Sequence, residues 1–197
     1  MNDTAKAQNV YVRDVIKQRR SIGQMTEEQP SREQIEQLLE AATYAPNHHV
    51  SEPWHFFVLT GAAREELGKV MAESLKARME EPTSKKSQFQ LLKECNKPLR
   101  APVVITVAAR GAADQEEFLE RVEATAAAVQ NMLLAAQEME LATIWRSGSA
   151  ASDPQVKRWF GLAPEDHIVA FIYVGFPKCP RQERIPTHFS SKTTWLS

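Results

Sequence analysis

The apolar residues of this chain follow two patterns that predict two kinds of element. Apolar positions three or four residues apart predict amphipathic helices, and short continuous apolar runs predict buried strands. The helices are expected over residues 10–21, 31–45, 62–80 and 114–140, with another beginning at Asp153-Pro154. The strands are expected over residues 54–60, 102–109, 143–147 and 167–175. Since these runs do not alternate with polar residues, we expect helices on both faces of the sheet.

Polar residues and prolines mark the ends of these elements. Ser31 and Gln34 have the spacing of an N-terminal capping box, and the second helix should end before Pro46. The segment 81–100 is charged and holds two prolines, so it predicts a mobile connection with about one helical turn. Residues 124–136 are apolar or small nearly all round. This predicts a helix buried in the core or against a second subunit.

The composition is that of an ordinary globular protein, since 43% of the 197 residues are hydrophobic and 25% are charged. The length fits a single domain spanning residues 1–197. A net charge of −1 gives no field that would attract nucleic acid or a membrane surface. The sequence has no secretory signal and no membrane-spanning run. Cys95 and Cys179 lack a paired spacing, so we expect a cytoplasmic protein with free thiols.

Three segments carry candidate chemistry. The first motif is Arg19, Arg20 and Ser21. Guanidinium groups bind phosphate through paired charge-assisted hydrogen bonds, and a serine hydroxyl can add another; alone, such a triplet is more often a solvated helix end. The second motif, Tyr44–Trp54, reads Tyr-Ala-Pro-Asn-His-His-Val-Ser-Glu-Pro-Trp, and the third motif, Ile144–Gly148, reads Ile-Trp-Arg-Ser-Gly. Both lie where a loop meets a predicted strand.

In this order and spacing, the three motifs resemble the nitroreductase family of FMN-dependent oxidoreductases, in particular its short single-domain branch. The resemblance implies an α+β fold with a central sheet covered by helices, and an intertwined homodimer with FMN at the subunit interface. It implies two-electron transfer from NADH or NADPH to a small electron-poor acceptor, such as a nitroaromatic or a quinone, by a ping-pong route. The sequence contains neither G-x-G-x-x-G nor a P-loop, so we expect no separate dinucleotide site.

The resemblance also implies a set of cofactor-binding residues, with the redox chemistry on the cofactor rather than on a side chain. They are Arg19, Arg20, Ser21, Tyr44, Asn47, His48, Trp145, Arg146 and Ser147. The first motif would hold the FMN phosphate and the pyrimidine edge of the ring. The second would contact the flavin from the partner subunit. The third would lie along the flavin and supply backbone donors near its N5 atom, where such donors stabilise negative charge.

Some positions depart from the family's pattern, and other functions stay open. Ile22-Gly23-Gln24 replaces a basic residue that often follows the serine, Glu52 stands where many members have glutamine, and Lys192 is a candidate for their basic C-terminal residue. One alternative is another flavin reaction, such as dehalogenation or saturation of an activated double bond. A second is a flavin-binding or sensing protein with little turnover. A third is a non-catalytic helical interaction module that does not bind FMN.

Several residues have structural interpretations beside the functional ones. No carboxylate or cysteine completes a ligand set around His48 and its histidine neighbours, so we expect no metal site. His55, Trp54 and Trp159 are expected in the core. For Trp145, core packing and flavin contact carry equal weight.

Overall fold

Four antiparallel strands form a sheet between two layers of helices in the computed structural model, which describes residues 11–196. The strands are β1 (Trp54–Leu59), β2 (Val103–Ala109), β3 (Ala142–Arg146) and β4 (His167–Gly175). Their order across the sheet is β1-β2-β4-β3. In this register Trp54 lies opposite Ala109, and Thr143 lies opposite Val174. The α+β class expected from the sequence is confirmed.

Five of the six α-helices in the described residues lie where the sequence predicts them, and the exception is the helix Lys85–Cys95. They are α1 (Val12–Gln18), α2 (Arg32–Thr43), α3 (Ala62–Lys76), α4 (Lys85–Cys95), α5 (Gln115–Glu138) and α6 (Pro154–Trp159). Short 3₁₀ turns occur at His48–Val50, Lys97–Arg100 and Phe189–Lys192. The predicted start of the first helix, at Val10, lies outside the described residues.

Side-chain caps confirm the predicted helix starts. The Ser31 Oγ accepts a hydrogen bond from the Gln34 N–H at 3.2 Å, and the Ser31 N–H donates to Gln34 Oε1 at 2.9 Å. Each bond gives an acceptor to a backbone N–H that would otherwise have none at the start of the helix. Asp153 caps α6 by accepting from the Gln155 N–H at 2.8 Å. The second helix ends at Thr43, before Pro46 as expected.

Each face of the sheet buries its own apolar core. On one face, α2 and α5 contribute fully buried side chains such as Leu38 and Met132. On the other face, Leu67 of α3 and Val156 of α6 pack in a cluster with Phe171 of β4. The expectation that helices cover both faces is therefore confirmed.

The small-residue stretch of α5 runs through the first of these cores. Ala124, Ala128 and Ala136 are buried there within a single chain. Ala127 and Ala135 are partly buried and pack against the same core. The small-residue stretch is thus an element of the core within the described chain.

The expectation for segment 81–100 was wrong. It forms the helix α4 and a 3₁₀ turn rather than a mobile connection. The Ser84 hydroxyl caps α4 by accepting from the Ser87 N–H at 3.2 Å. No residue of α4 is buried, and Phe89 and Leu92 are 69% and 60% exposed. The segment is mostly polar, and its two prolines lie on either side of the helix rather than inside it, which explains the error.

The first predicted strand is less buried than its sequence indicated. Within the described sheet β1 is an edge strand, so Phe57 is half-buried and His55 is exposed rather than a core histidine. The aromatic run resembles an interior strand because edge and interior strands share β-branched and aromatic residues. Trp54 is buried as expected, whereas Trp159 is only half-buried against the second core.

We predict that Gly68→Ala destabilises the fold. Alanine normally stabilises a helix interior by about 1 kcal/mol relative to glycine, but a β-carbon at residue 68 of α3 would overlap the Cys95 carbonyl oxygen. Relieving such a backbone contact should lower the free energy of unfolding by about 1–3 kcal/mol, measured by urea denaturation. Gly23→Ala is the matched control, because its β-carbon would meet no atom closer than 3.8 Å. Equal unfolding midpoints for the two variants would contradict the close approach of α3 and α4.

Candidate functional site

The segment after α1 brings the first and third motifs together. Ser21 forms a parallel bridge with Thr143 of β3, and the Ile22 N–H donates to the Thr143 carbonyl at 2.8 Å. Two residues further on, a β-carbon on Gly23 would lie 3.8 Å from Nη2 of Arg146. The first motif therefore lies along the edge of the strand whose end carries the third motif.

A cleft of about 860 Å³ lies beside the first motif, between the end of α1 and the C-terminal tail. Its cationic lining residues are Lys17, Arg19, Arg20, Arg181 and Arg184. The acidic lining residues in the described chain are Asp14 and Glu183, so positive charge is in excess. We call this the arginine cleft. Such a concentration of guanidinium groups is suited to a phosphate, which accepts paired hydrogen bonds from them.

The two arginines of the first motif are in different environments. The Arg20 guanidinium is fixed by three carbonyl oxygens: Nε donates to Gln182 at 2.8 Å, and Nη1 donates to Lys17 at 2.6 Å and Arg19 at 2.7 Å. Burial lowers the pKa of Arg19 below its ordinary value, and the charges of Arg184 and Arg20 lower it further. An anion in the cleft would remove this repulsion between like charges.

The tail supplies residues that sequence reasoning missed. Within the described chain, Nε and Nη2 of Arg181 are buried without a hydrogen-bond partner, an arrangement that is costly unless a ligand or water satisfies them. Arg184 lines the same cleft. Lys192, the sequence candidate, is exposed in the last 3₁₀ turn and does not line it. No motif surrounds either tail arginine, so only the folded path of the tail could identify them.

A second, smaller cavity of about 130 Å³ lies at the end of β3. Its polar lining is formed by Lys97, Arg100, Arg146, Ser147, Ser149 and Tyr173. We call this the cationic cavity. It brings Arg146 and Ser147 of the third motif together with the 3₁₀ turn after α4. That turn lies in the segment that was expected to be a mobile connection, so no role was predicted for it.

The third motif divides between the two faces of the sheet. Arg146 and Ser147 are exposed and line the cationic cavity. Trp145 is half-buried against the core formed by α2 and α5, and its Nε1–H donates to the Val169 carbonyl at 3.1 Å. The structure therefore gives Trp145 a core contact, and its predicted flavin contact stays a prediction.

The second motif forms a strained loop. His49, Val50 and Glu52 have positive φ angles of 51°, 54° and 40°, a region that side chains with a β-carbon rarely adopt. Asn47 holds this loop: its Oδ1 accepts from the Glu52 N–H at 3.0 Å, and its Nδ2 donates to the Ala45 carbonyl at 3.2 Å. Backbone strain of this kind persists where the surroundings enforce it, often at binding sites.

Asn47 and His48 lie far from the other two motifs within one chain. His48 Nδ1 is 2.8 Å from Glu120 Oε2, near the start of α5. Ser21 bridges to Thr143, just beyond the end of that helix. At 1.5 Å per residue, the helix between Glu120 and Glu138 is about 27 Å long. The remaining predicted residue of this motif, Tyr44, is 79% exposed and lines a groove with Val12 and Val15 of α1.

Two searches of the described residues address other kinds of site. No group of three or more His, Cys, Asp and Glu side chains in residues 11–196 could hold a metal ion. Among the helices of the same range, none is long and apolar enough to cross a membrane.

The sequence is similar to a known family and to named members of it. The model of the Nitroreductase family matches residues 16–176. YdjA of Escherichia coli strain K12, whose name proposes NAD(P)H nitroreductase activity, is 33% identical over 169 residues, which is 84% of this chain and 87% of YdjA. YfhC of Bacillus subtilis strain 168, named in the same way, is 31% identical over 172 residues, or 86% of each chain.

Solved structures share the fold. A nitroreductase-like family protein from Bacillus cereus has a TM-score of 0.85 and 28% identity, covering 98% of this chain and 99% of its own. A protein from Desulfovibrio desulfuricans, solved in complex with FMN, has a TM-score of 0.66 and 26% identity, covering 90% and 93%.

Proposed function

The chain belongs to the nitroreductase family, and from that premise we propose that it is an FMN-dependent oxidoreductase. It passes two electrons from NADH or NADPH to a small electron-poor acceptor such as a nitroaromatic or a quinone. The observation that carries the proposal is the closeness of the arginine cleft and the cationic cavity. Arg20 lines the first and Gly23 the second, and three residues of extended chain span at most about 10 Å. One ligand with an anionic end and a polar ring fits both.

The residues of the arginine cleft fit the phosphate of FMN. A phosphate monoester carries a charge of about −1.5 to −2 at neutral pH, which the excess of guanidinium groups would balance. The unsatisfied nitrogens of Arg181 would gain acceptors there. Arg181 and Arg184 thereby take the place that the sequence analysis offered to Lys192.

The residues of the cationic cavity fit the polar edge of the flavin ring. Nη2 of Arg146 lies 3.8 Å from the position of a β-carbon on Gly23, so its guanidinium would serve in place of the basic residue that often follows the serine in the family. Ser147 and Gly148 follow at an exposed turn, and their backbone N–H groups are suited to an acceptor atom of the ring. Glu52 belongs to the second motif rather than to this cavity, and its backbone N–H donates to Asn47 Oδ1.

Bound FMN would supply the redox chemistry, taking hydride from NADH or NADPH and then passing two electrons to the acceptor in a ping-pong sequence. The chain's own residues would bind the cofactor, orient it and stabilise negative charge on its ring. Arg19 and Arg181 hold the phosphate, and Arg20 is pre-positioned by its three carbonyl partners. Arg146 and its cationic neighbours provide a positive field that favours negative charge at the ring edge.

We infer further that the active unit is a homodimer with FMN between subunits. Asn47 and His48 are too distant to reach the arginine cleft of their own chain, so the second motif would complete the site of the other copy. An apolar groove between α1, α2 and α5 suits this contact, and Tyr44 and Val12, both lining it, are 79% and 70% exposed. Exposed apolar patches of this kind are typical of subunit interfaces.

The proposed activity predicts a yellow protein that oxidises a nicotinamide donor. After addition of FMN and removal of the excess, the protein should retain flavin absorption bands and oxidise NADH or NADPH anaerobically when a nitroaromatic or a quinone is present. Retained flavin without oxidation of either NADH or NADPH would favour the flavin-binding protein with little turnover. A colourless protein would favour the helical interaction module and contradict the proposal.

We predict that Arg19→Ala weakens FMN binding about 10- to 100-fold, because a hydrogen bond to a charged group is worth about 1.5–3 kcal/mol. The dissociation constant can be measured by flavin fluorescence. Riboflavin, which lacks the phosphate, should bind the wild type and the variant equally. Arg13→Ala is the control, since Arg13 is exposed on the same helix and does not line the cleft. An equal loss of affinity for FMN and riboflavin would contradict the phosphate assignment.

The proposed dimer predicts complementation between two defective variants. Arg19→Ala and His48→Ala should each impair both sites of their own homodimer. After unfolding and refolding together, mixed dimers should contain one intact site, restoring about a quarter of the wild-type FMN sites in an equal mixture. An equal mixture of Arg19→Ala with Arg13→Ala should keep about half of the sites with or without exchange, so co-purification of two differently tagged copies verifies that mixed dimers form. Mixed dimers without recovery would contradict a site shared between subunits.

A further inference from the structure

Tyr173 of β4 differs from the other tyrosines of the described chain. It is only 6% exposed, whereas Tyr11 and Tyr44 are 65% and 79% exposed. Its ring lies in the core with Phe171, and its side chain also lines the cationic cavity. Buried tyrosine hydroxyls usually have a hydrogen-bond partner.

Tyr173 lines the cationic cavity, and its hydroxyl has no hydrogen-bond partner within the described residues. None of the side-chain hydrogen bonds within residues 11–196 involves it, and it is not among the side-chain atoms that are sealed from solvent without a partner. Burial raises the pKa of Tyr173 to about 12, although the charges of Arg100 and Arg146 act in the opposite direction. The hydroxyl therefore keeps its proton at neutral pH and can serve as a donor.

The cations of the cavity differ in how far their charge is balanced. Lys97 forms an ion pair with Glu94 at 2.5 Å. Arg100 and Arg146 form no ion pair with a carboxylate in the described chain, and both line the cavity together with Tyr173. Arg100 is also exposed, so its side chain is not needed for packing.

These features specify the chemistry of the group that enters the cavity. A volume of about 130 Å³ holds the edge of a ligand rather than a whole flavin. Two uncompensated guanidinium groups and one O–H donor select an oxygen atom that carries negative charge. The cavity is lined by Gly23 and Ser147, on the side where the proposed function places the ring.

We propose that the Tyr173 hydroxyl donates a hydrogen bond to the pyrimidine carbonyl edge of FMN, and that Arg100 provides the positive charge behind it. Together they favour negative charge on that edge, and so favour the cofactor in its two-electron reduced form. This inference rests on the proposed function, since it requires that FMN binds. It adds two residues, from β4 and from the 3₁₀ turn after α4, that the family resemblance did not assign.

The test compares Tyr173→Phe with the wild type in two measurements besides activity. Because a hydrogen bond to a charged group is stronger than one to a neutral group, the variant should lose about tenfold more affinity for reduced than for oxidised FMN. For a two-electron couple, this tenfold change lowers the midpoint potential of bound FMN by about 30 mV. Tyr11→Phe, at an exposed tyrosine, is the matched control and should change neither quantity.

Arg100→Gln provides a second variant that does not depend on the core. It should also lower the midpoint potential, because it removes a positive charge beside the same edge, and it supports the proposal even if Tyr173→Phe fails to fold. An unchanged potential in both folded variants overturns the inference while leaving the proposed function intact. A change confined to the KM of carboxylated acceptors also overturns it, since the cavity then binds the acceptor. A wild-type protein that binds no FMN overturns both.

Discussion

The pairing of residues 21–26 with two neighbouring stretches of chain is the contact on which the rest of the site depends. The Ile22 N–H donates to the Thr143 carbonyl at 2.8 Å, the Thr26 N–H to Phe176 at 2.8 Å, and the Lys178 N–H to the Gln24 carbonyl at 3.1 Å. Donor and acceptor are backbone groups in all three bonds, so the pairing does not depend on a side-chain hydrogen bond. They fix the first motif beside β3 and the tail beside the first motif. Both the arginine cleft and the cationic cavity follow from this one segment.

Two of the charged side chains around that segment do not stabilise the protein by themselves. Arg19 is partly buried beside Arg184 and Arg20, and its pKa is lowered by burial and by their charges, which means that its charged form is disfavoured there. Arg181 leaves two buried nitrogens without partners within the described chain. Local arrangements that oppose stability mark functional sites in natural proteins. A phosphate-bearing ligand would offset both costs, and its binding would stabilise the folded state.

The sequence predicted those parts of the fold and site that depend on local pattern. Val103–Ala109 is a continuous apolar run, the long helix α5 has a marked apolar face, and Ser31 has a local capping signal, so these elements were found. The helix α4 was missed because its sequence is mostly polar and lies between Pro82 and Pro98, a pattern typical of a loop. Tyr173 lies in an apolar run and resembles a core residue in sequence. Its role, like that of Arg181, depends on which distant segment the fold places beside it.

The second motif lies between the other two in sequence, but α5 is long enough to separate it from both of them in the folded chain. The helix has 24 residues, or about 36 Å, and it separates His48 from the arginine cleft. In a dimer with a two-fold axis, both subunits make the same contacts. In the proposed dimer the start of one α5 would therefore lie near the end of the other. The exposed groove beside Leu134 and Tyr44 then becomes interface. In that proposed dimer the helix, rather than the flavin, would set the spacing of the two sites, and a side chain of the second motif would acquire its function only when the second copy binds.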